Sequence, residues 1–277
     1  MKTPGSLIGP DEAAEYERQW TPAPASTMAL VAAAGRGTRL GFHLPKVLYP
    51  VDGRPVLAWL GHRLDGLVRS LALVLSPDGA RAFYREAVEL PMPMTVAQQN
   101  EPTGMADAIL AAEAAVLDDQ VTAVIVLWGD QIGVQRETIV RALAVHASHA
   151  LKPAVTVPLA RVDVPYVHYD FDASGRLAAV RQRREGDLLP DNGLADCGCF
   201  VISPRVVFPV LRRLRAAGLL RGRLSHEENF LQALPFLARE APVVGVTGAT
   251  SIETIGLNST VDLERLSRAT NGDSPRT

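Results

Sequence analysis

The sequence predicts an α/β protein built on a doubly wound, mostly parallel sheet. Three observations carry this expectation. The runs Met28–Ala33 and Val121–Leu127 are apolar without alternation, as strands buried on both faces are. Helical segments fall between such strands from residue 28 to about residue 157. Both runs end in glycine-bearing loops, Ala34-Gly35-Arg36-Gly37 after the first and Trp128-Gly129-Asp130 after the second. Strand ends of this kind are where open α/β sheets bind ligands.

The elements follow in order. Residues 1–26 precede the first strand as an N-terminal extension. Asp11 to Trp20 suits a short amphipathic helix with Tyr16 and Trp20 at i and i+4, and Pro22, Pro24 and Ser26 read as a linker. A homo-oligomer contact is the functional reading of this extension. Two aromatic residues make a small patch, which favours a loosely docked segment instead. Pro55–Val68 reads as a helix with proline at its start, Leu71–Leu75 as a buried strand, Ala80–Val88 as a helix and Met94–Ala97 as a short strand. Met105–Val116 is an alanine-rich helix.

The second half reads differently. Val167–Asp172 and Leu177–Gln182 flank Ala173-Ser174-Gly175, a hairpin signal. Residues 183–193 are charged and expected to form a mobile loop. Cys197–Ile202 is apolar, and Ser203-Pro204 starts a helix to about Ala217. Ser225 with Glu228 three residues later matches a capping box, predicting a helix through Arg239. Val243–Val246 is a late strand, Val261–Arg268 a final helix, and 271–277 a polar tail. No internal repeat is present. The organisation expected is one domain over about 27–270.

Composition narrows the classes. The chain is 47% hydrophobic and 21% charged, enough to bury a large core. Its formal net charge of −2 gives no basic excess for a nucleic-acid backbone. Cys197 and Cys199 sit two apart, too close for an easy disulfide and without a histidine cluster for zinc; they read as small apolar residues. A cytoplasmic setting is expected from this cysteine usage and from the lack of a basic-then-apolar leader. No apolar run reaches the about 18 residues of a membrane span.

Chemistry concentrates in three loops. Gly35 and Gly37 let backbone N–H groups approach an anion, Thr38 adds a hydroxyl, and Arg36, Arg39 and Lys46 add positive charge. Together these describe a phosphate grip. It is neither a P-loop nor a G-x-G-x-x-G dinucleotide turn, since Leu40 occupies the third-glycine position. The second loop holds Gln98, Gln99, Thr103 and Gly104; side-chain amides suit a pyrimidine edge, and Gly104 opens a helix with a free N–H. The third ends in Asp130, a carboxylate that is costly to bury without a cation.

The string A-A-G-x-G-T-R followed by P-K-x-L, read from Ala33 through Leu48, resembles the signature of sugar-1-phosphate nucleotidyltransferases, the nucleotide-sugar pyrophosphorylases. The resemblance runs from about residue 28 to residue 268. It implies the nucleotide-diphospho-sugar transferase fold, a Rossmann-like mixed sheet with a nucleotide half at about 27–160 and a substrate half at about 161–270. It implies nucleotide contacts at Ala33, Ala34, Gly35, Arg36, Gly37, Thr38, Gln98, Gln99, Thr103, Gly104 and Gly129. Gln99 is the better base reader on the Q-x-x-P-x-G-x-A match, with Gln98 second. It implies catalytic roles for Arg39 and Lys46, and Mg²⁺ held by Asp130 and by Asn258 of Gly256-Leu257-Asn258. The implied partners are a nucleoside triphosphate, UTP or dTTP favoured, and a sugar 1-phosphate or sugar-like phosphate. No nucleic acid and no membrane is expected.

Within the family the sequence most resembles uridylyltransferases acting on N-acetylglucosamine 1-phosphate, although it carries no hexapeptide repeats. It departs from them in the substrate half. Y-G-R-I becomes Tyr166-Val167-His168-Tyr169, the glutamate of I-V-E becomes Gln182, and the asparagine of N-T-G becomes Asp196. The resemblance implies substrate contacts at Val167, Gln182 and Asp196, and the exchanges point to an altered sugar or a cyclitol phosphate. Alternatives are another base, a non-sugar phosphorylated alcohol, or a regulatory protein that binds nucleotide sugar without turnover. A glycosyltransferase would want a D-x-D motif, and Gln131-Ile132 follows Asp130 instead.

Overall fold

The computed structural model describes residues 7–35, 40–86, 88–101 and 103–270. Its first half contains β1 (Leu7–Ile8), α1 (Pro10–Gln19), β2 (Thr27–Ala32), β3 (Pro50–Val51), β4 (Arg54–Pro55), α2 (Val56–Leu64), β5 (Leu71–Leu75), α3 (Pro77–Phe83), β6 (Met94–Gln98), α4 (Met105–Ala111), α5 (Glu113–Val116), β7 (Ala123–Trp128) and α6 (Arg136–His146). The second half contains β8 (Val155–Val162), β9 (Val167–Phe171), β10 (Leu177–Gln182), β11 (Gly193–Asp196), β12 (Cys199–Ile202), α7 (Pro204–Ala216), α8 (Phe230–Glu240), β13 (Val243–Ala249) and α9 (Thr260–Thr270).

One sheet runs β1-β13-β8-β12-β7-β2-β5-β6, with β11 added beside β8. Pairing is parallel throughout except around β12, antiparallel to β7 and β8, and β11, antiparallel to β8. β2 shows why its run lacks alternation. Met28, Leu30 and Ala32 join the core on one face, while Ala29, Val31 and Ala33 join the core on the other. In β7, Val124, Val126 and Trp128 take the first face and Ala123, Ile125 and Leu127 the second. Both faces are dry, so every position must be apolar. No helix among the described residues is long and apolar enough to cross a membrane.

Three expectations are corrected, and one strand is added. Residues expected as a loosely docked extension form β1, which pairs in parallel with β13, and α1, whose Ala13 is buried against Val145 and Val246. The predicted helix from Ser225 begins instead at Phe230, capped by the Asn229 side chain accepting from Leu231 N–H at 3.0 Å. Ser225 is drawn elsewhere: its hydroxyl donates to Glu185 at 2.5 Å. The charged stretch 183–193 is anchored by that same Glu185, 2% exposed, which also accepts from the backbone N–H of Leu224 and Ser225. Finally, β8 was not anticipated, because Pro158 interrupts its run. The proline falls where the neighbour of β8 changes from β12 to β11, and its carbonyl accepts from Cys197 N–H at 3.3 Å. The missing donor sits at a gap in the ladder, which makes proline tolerable there.

A buried histidine ties α6 to the sheet and to α7. His146 Nδ1 meets Thr156 Oγ1 at 3.0 Å, and Nε2 meets Ser203 Oγ at 3.1 Å. Ser203 donates to the Pro153 carbonyl at 2.7 Å, so this serine–histidine pair is a structural brace. Burial pushes the His146 ring down to about 4. The unfolded chain therefore binds a proton below about pH 6.5 that the folded chain refuses. Stability from this group is complete above that value and is lost as pH falls toward 4, by about 3 kcal/mol in all. Urea unfolding from pH 7 to pH 4 checks this. The wild type should lose stability across that window, and His146→Leu should show a shallower slope; equal slopes would place the acid sensitivity elsewhere.

Candidate active site

The parallel strands β2, β7 and β13 end at one edge of the sheet, and the segments after them meet there. Gly129 shows how closely. A Cβ on it would lie 2.8 Å from Ala33 Cβ and 3.0 Å from both Ala32 O and Val47 Cγ1, and its N–H donates to Ala32 O at 2.9 Å. Only glycine lets the ends of β2 and β7 touch in this way. Ala33 and Ala34 are buried, and with Gly35 they border a cavity of about 270 Å³ closed by Phe42, Ser76 and Gly79. Arg36, Gly37, Thr38 and Arg39 lie outside the described residues.

Lys46 opens a helical turn, Lys46–Leu48, after Pro45. Its ammonium donates to Asp130 Oδ2 at 2.9 Å and to Asn258 Oδ1 at 2.6 Å. Three segments, one after each of β2, β7 and β13, thus share one cation. Asp130 is held by its backbone, whose carbonyl accepts from Leu257 N–H at 2.9 Å. Asn258 is fixed by its amide donating to Gly256 O at 3.1 Å and by its N–H donating to Asp262 Oδ2 at 3.1 Å. Two hard oxygens on one cation are the kind of donor set Mg²⁺ accepts, since Mg²⁺ takes one or two protein ligands beside water and phosphate oxygens. No group of three or more His, Cys, Asp or Glu capable of holding a metal occurs among the described residues. A cage made by protein ligands alone is therefore not what this corner offers.

The amide loop has a different internal logic from the one its sequence suggests. Gln99 is 4% exposed and donates to Gly104 O at 2.9 Å and to Asp107 Oδ2 at 2.8 Å. Its amide N–H groups brace the loop, while Gln98 is exposed at the end of β6. Gln99 thus has its N–H groups committed within the loop and Gln98 lies open, while both remain on the segment that the sequence match assigns to the base. Thr103 also donates to Asp107 Oδ2, at 2.6 Å. Burial alone would raise the Asp107 carboxyl, but hydrogen bonds from Thr103 and Gln99 and the Arg215 guanidinium hold it below the usual carboxylate value. Asp107 was not singled out from sequence; its place one turn after Gly104 is the only signal it gave.

The substrate-half residues line one large cleft of about 880 Å³, together with Asp130, Asn258 and Gln131. Val167 pairs with Gln182 across the β9–β10 hairpin. Gln182 is 1% exposed; its Oε1 accepts from Asn229 Nδ2 at 2.5 Å, and its Nε2 has no partner. Asp196, at the end of β11, accepts from Gly198 N–H at 2.8 Å and from the Tyr169 hydroxyl at 3.2 Å. Burial raises its carboxyl above the ordinary value, and these two hydrogen bonds hold part of that rise back. Tyr169 is in turn pushed well up, by burial first and then by the Asp196 charge. Asn229 and Tyr169 were not anticipated, because a helix cap and a strand tyrosine look the same whether or not a cleft lies beside them.

A strand-end corner where lysine, carboxylate and amide converge thus opens onto the large cleft. Residues 29–225 match the MobA-like NTP transferase domain, and the chain belongs to that family. Among curated proteins it is similar to the bifunctional protein GlmU of Zymomonas mobilis, 28% identical over 243 residues, covering 86% of this chain and 52% of that protein. It is also similar to GlmU of Bradyrhizobium diazoefficiens, 31% identical over 247 residues, covering 86% and 51%, and of Rhodospirillum rubrum, 32% identical over 187 residues, covering 67% and 41%. The chain thus spans about half the length, or less, of these curated relatives. A solved structure of UDP-glucose pyrophosphorylase complexed with UDP-glucose superposes with a TM-score of 0.67 at 14% identity, covering 89% of this chain and 99% of that one. This likeness establishes the nucleotide-diphospho-sugar transferase fold.

Gly104 carries a prediction. Its φ of 137° with ψ of −179° belongs to glycine, and a Cβ there would lie 2.3 Å from Glu228 O. That crowding follows from the pinning of the loop, since Ala106 N–H donates to Glu228 O at 2.9 Å and Glu228 N–H to Thr103 O at 2.7 Å. Gly104→Ala should cost more than about 2 kcal/mol, backbone strain adding to the clash. Urea unfolding measures it; a loss under about 0.5 kcal/mol would show the loop is not held as described.

Proposed function

We propose that the chain transfers a nucleoside monophosphate from a nucleoside triphosphate, UTP or dTTP favoured, to a sugar 1-phosphate or sugar-like phosphate. Pyrophosphate is released and an NDP-sugar formed. The observation that carries this reading is the convergence of Lys46, Asp130 and Asn258 on one point at the mouth of a cleft large enough for a phosphorylated ring. The family and the GlmU relatives support it.

The chemistry follows from charge. A phosphate oxygen of the acceptor attacks the α-phosphorus of the triphosphate, the bond to the β-phosphate oxygen breaks, and pyrophosphate carries away the electron pair. The nucleophile is already an anion, so no strong general base is needed. The obstacle is bringing two anions together and stabilising charge as the bond breaks. Asp130 and Asn258 would hold Mg²⁺ through their oxygens, and bound there it would neutralise phosphate charge. Lys46, whose ammonium lies on the same two oxygens, turns to the phosphates near the point of attack. Arg39 is assigned to the leaving phosphates and Gly35 to Thr38 to backbone contacts with the triphosphate, both on the order of the signature alone. Gln98, Gln99, Thr103 and Gly104 sit on the loop assigned to the base.

The acceptor is expected to differ from N-acetylglucosamine 1-phosphate. Gln182 has its oxygen occupied by Asn229 and turns only N–H groups to a ligand, where a glutamate would accept. Asp196 brings a carboxylate where an asparagine would offer both a donor and an acceptor. A site with reversed donors and acceptors rejects its former ligand because buried groups are left unpaired. Val167, in place of glycine, narrows the same wall.

Two measurements test this function. A matrix of nucleoside triphosphates against sugar 1-phosphates and inositol 1-phosphate, read by pyrophosphate release, should show turnover that requires Mg²⁺. Asp130→Ala should abolish that turnover in a folded protein, while Lys46→Ala should lose about a hundredfold in rate with every nucleotide alike. Wild-type rates in excess chelator would sink the metal assignment. In the same matrix N-acetylglucosamine 1-phosphate should be a poor acceptor, improved relative to the others by Gln182→Glu combined with Asp196→Asn. Efficient wild-type turnover of that compound would refute the reading of the pocket.

A further inference from the structure

One side chain in the cleft has no part in the arrangement above. Gln131 follows Asp130, is 8% exposed, and lines the large cleft. Its Oε1 is buried and has no hydrogen-bond partner. An amide oxygen shut away from water without a donor is costly, and such groups in folded proteins call for an explanation. The same cleft holds a second one, the unpartnered Nε2 of Gln182. The cleft therefore lacks a donor for Gln131 and an acceptor for Gln182. A hydroxyl-bearing ligand supplies both.

The position of Gln131 is built rather than accidental. Two glycines leave the slot its side chain occupies. A Cβ on Gly198, whose φ is +60°, would lie 2.2 Å from Gln131 Cγ, 2.6 Å from Cδ and 2.8 Å from Nε2. A Cβ on Gly256 would lie 3.3 Å from the same Nε2 and 3.3 Å from Asp130 Cγ. Its backbone is fixed as well, Gln131 N–H donating to Trp128 O at 3.1 Å. The amide is thus clamped between the Gly256 wall, shared with Asp130 and Asn258, and Gly198, whose N–H donates to Asp196. It stands between the corner assigned to the phosphates and the carboxylate assigned to the ring.

We propose that Gln131 is a specificity-determining residue, whose Oε1 accepts a hydrogen bond from a hydroxyl of the phosphorylated acceptor between the Lys46 corner and Asp196. The proposal rests on the transfer reaction proposed above and adds to it one residue that selects the acceptor. The contact selects by the presence of the hydroxyl, because without one the buried oxygen stays unpaired.

The test compares wild type with Gln131→Leu and Gln131→Glu, each checked for an unchanged melting temperature. The acceptors are glucose 1-phosphate, N-acetylglucosamine 1-phosphate and myo-inositol 1-phosphate, with pyrophosphate release as readout. With the best of these acceptors, Gln131→Leu should raise the acceptor KM about tenfold or more and leave the triphosphate KM within about twofold. Gln131→Glu, which keeps an acceptor in the slot, should recover part of the loss. An unchanged acceptor KM in Gln131→Leu would overturn the proposal, as would a change confined to the triphosphate KM or to the Mg²⁺ dependence. If no acceptor turns over, the transfer reaction itself fails, and calorimetric binding of the same three phosphates decides the matter. Binding weakened about tenfold by Gln131→Leu keeps the role of Gln131; equal binding, or none to wild type, overturns it.

Discussion

The interaction on which the site depends is the ammonium of Lys46 held between Asp130 and Asn258, at 2.9 and 2.6 Å. These residues are 84 and 212 positions from Lys46 in sequence. Nothing local brings them together; the sheet does. β2, β7, β8 and β13 all run in one direction, so whatever follows β2, β7 and β13 emerges at the same edge. Gly129 then removes the last steric obstacle between the first two of those segments. The carboxylate is partly withdrawn from water, its side chain 24% exposed against 18% for the lysine. At that depth an unpaired charge is expensive, so the corner requires a cation at all times.

Much of this was legible in the chain because strand burial and loop chemistry are both written locally. The unbroken apolar runs of β2, β5 and β7 demanded two dry faces, and the strand-end position of Asp130 followed from them, while Lys46 was legible through the P-K-x-L string. What escaped the sequence was decided by competition between partners far apart in the chain. Ser225 and Glu228 satisfy the pattern of a capping box, yet Glu185 takes the serine hydroxyl and Arg215 the Glu228 carboxylate, at 2.7 Å. The box is realised instead by Thr250 and Glu253, where no stronger partner intervenes. Gln99 shows the same competition: the half-buried Asp107, paired with Arg215, takes a hydrogen bond from its amide. Local patterns state what a residue can do, and tertiary partners decide which of those options is used.

The N-terminal segment makes the same point at the scale of an element. Leu7 and Ile8 are too few to announce a strand, and α1 has a weakly apolar face. They are ordered because β13 would otherwise expose an edge, and an open edge is a site for unwanted pairing. The segment covers that edge, and Ile8 and Ala13 pack with Val145, Leu151, Val244 and Val246 into a small core of their own. Its role is set by what the sheet leaves unfinished.

The reversed strand explains why the large cleft joins the cation corner at all. In a wholly parallel sheet, residues that precede a strand lie at the edge opposite to those that follow its neighbour. β12 runs against β7, with Cys199 opposite Leu127, and Trp128 N–H donates to Gly198 O at 2.9 Å. The residues just before β12, Asp196 to Gly198, therefore stand beside the residues just after β7, Trp128 to Gln131. Gly198 is where the two segments meet most closely: its positive φ turns the chain, and its missing side chain receives Gln131. One antiparallel strand in an otherwise parallel neighbourhood thus places a carboxylate from the second half of the chain on the same cleft as a carboxylate from the first. Their separation is set by backbone pairing, not by flexible side chains. Under the transfer reaction proposed above, a ligand spanning the two would be measured against a rigid rule.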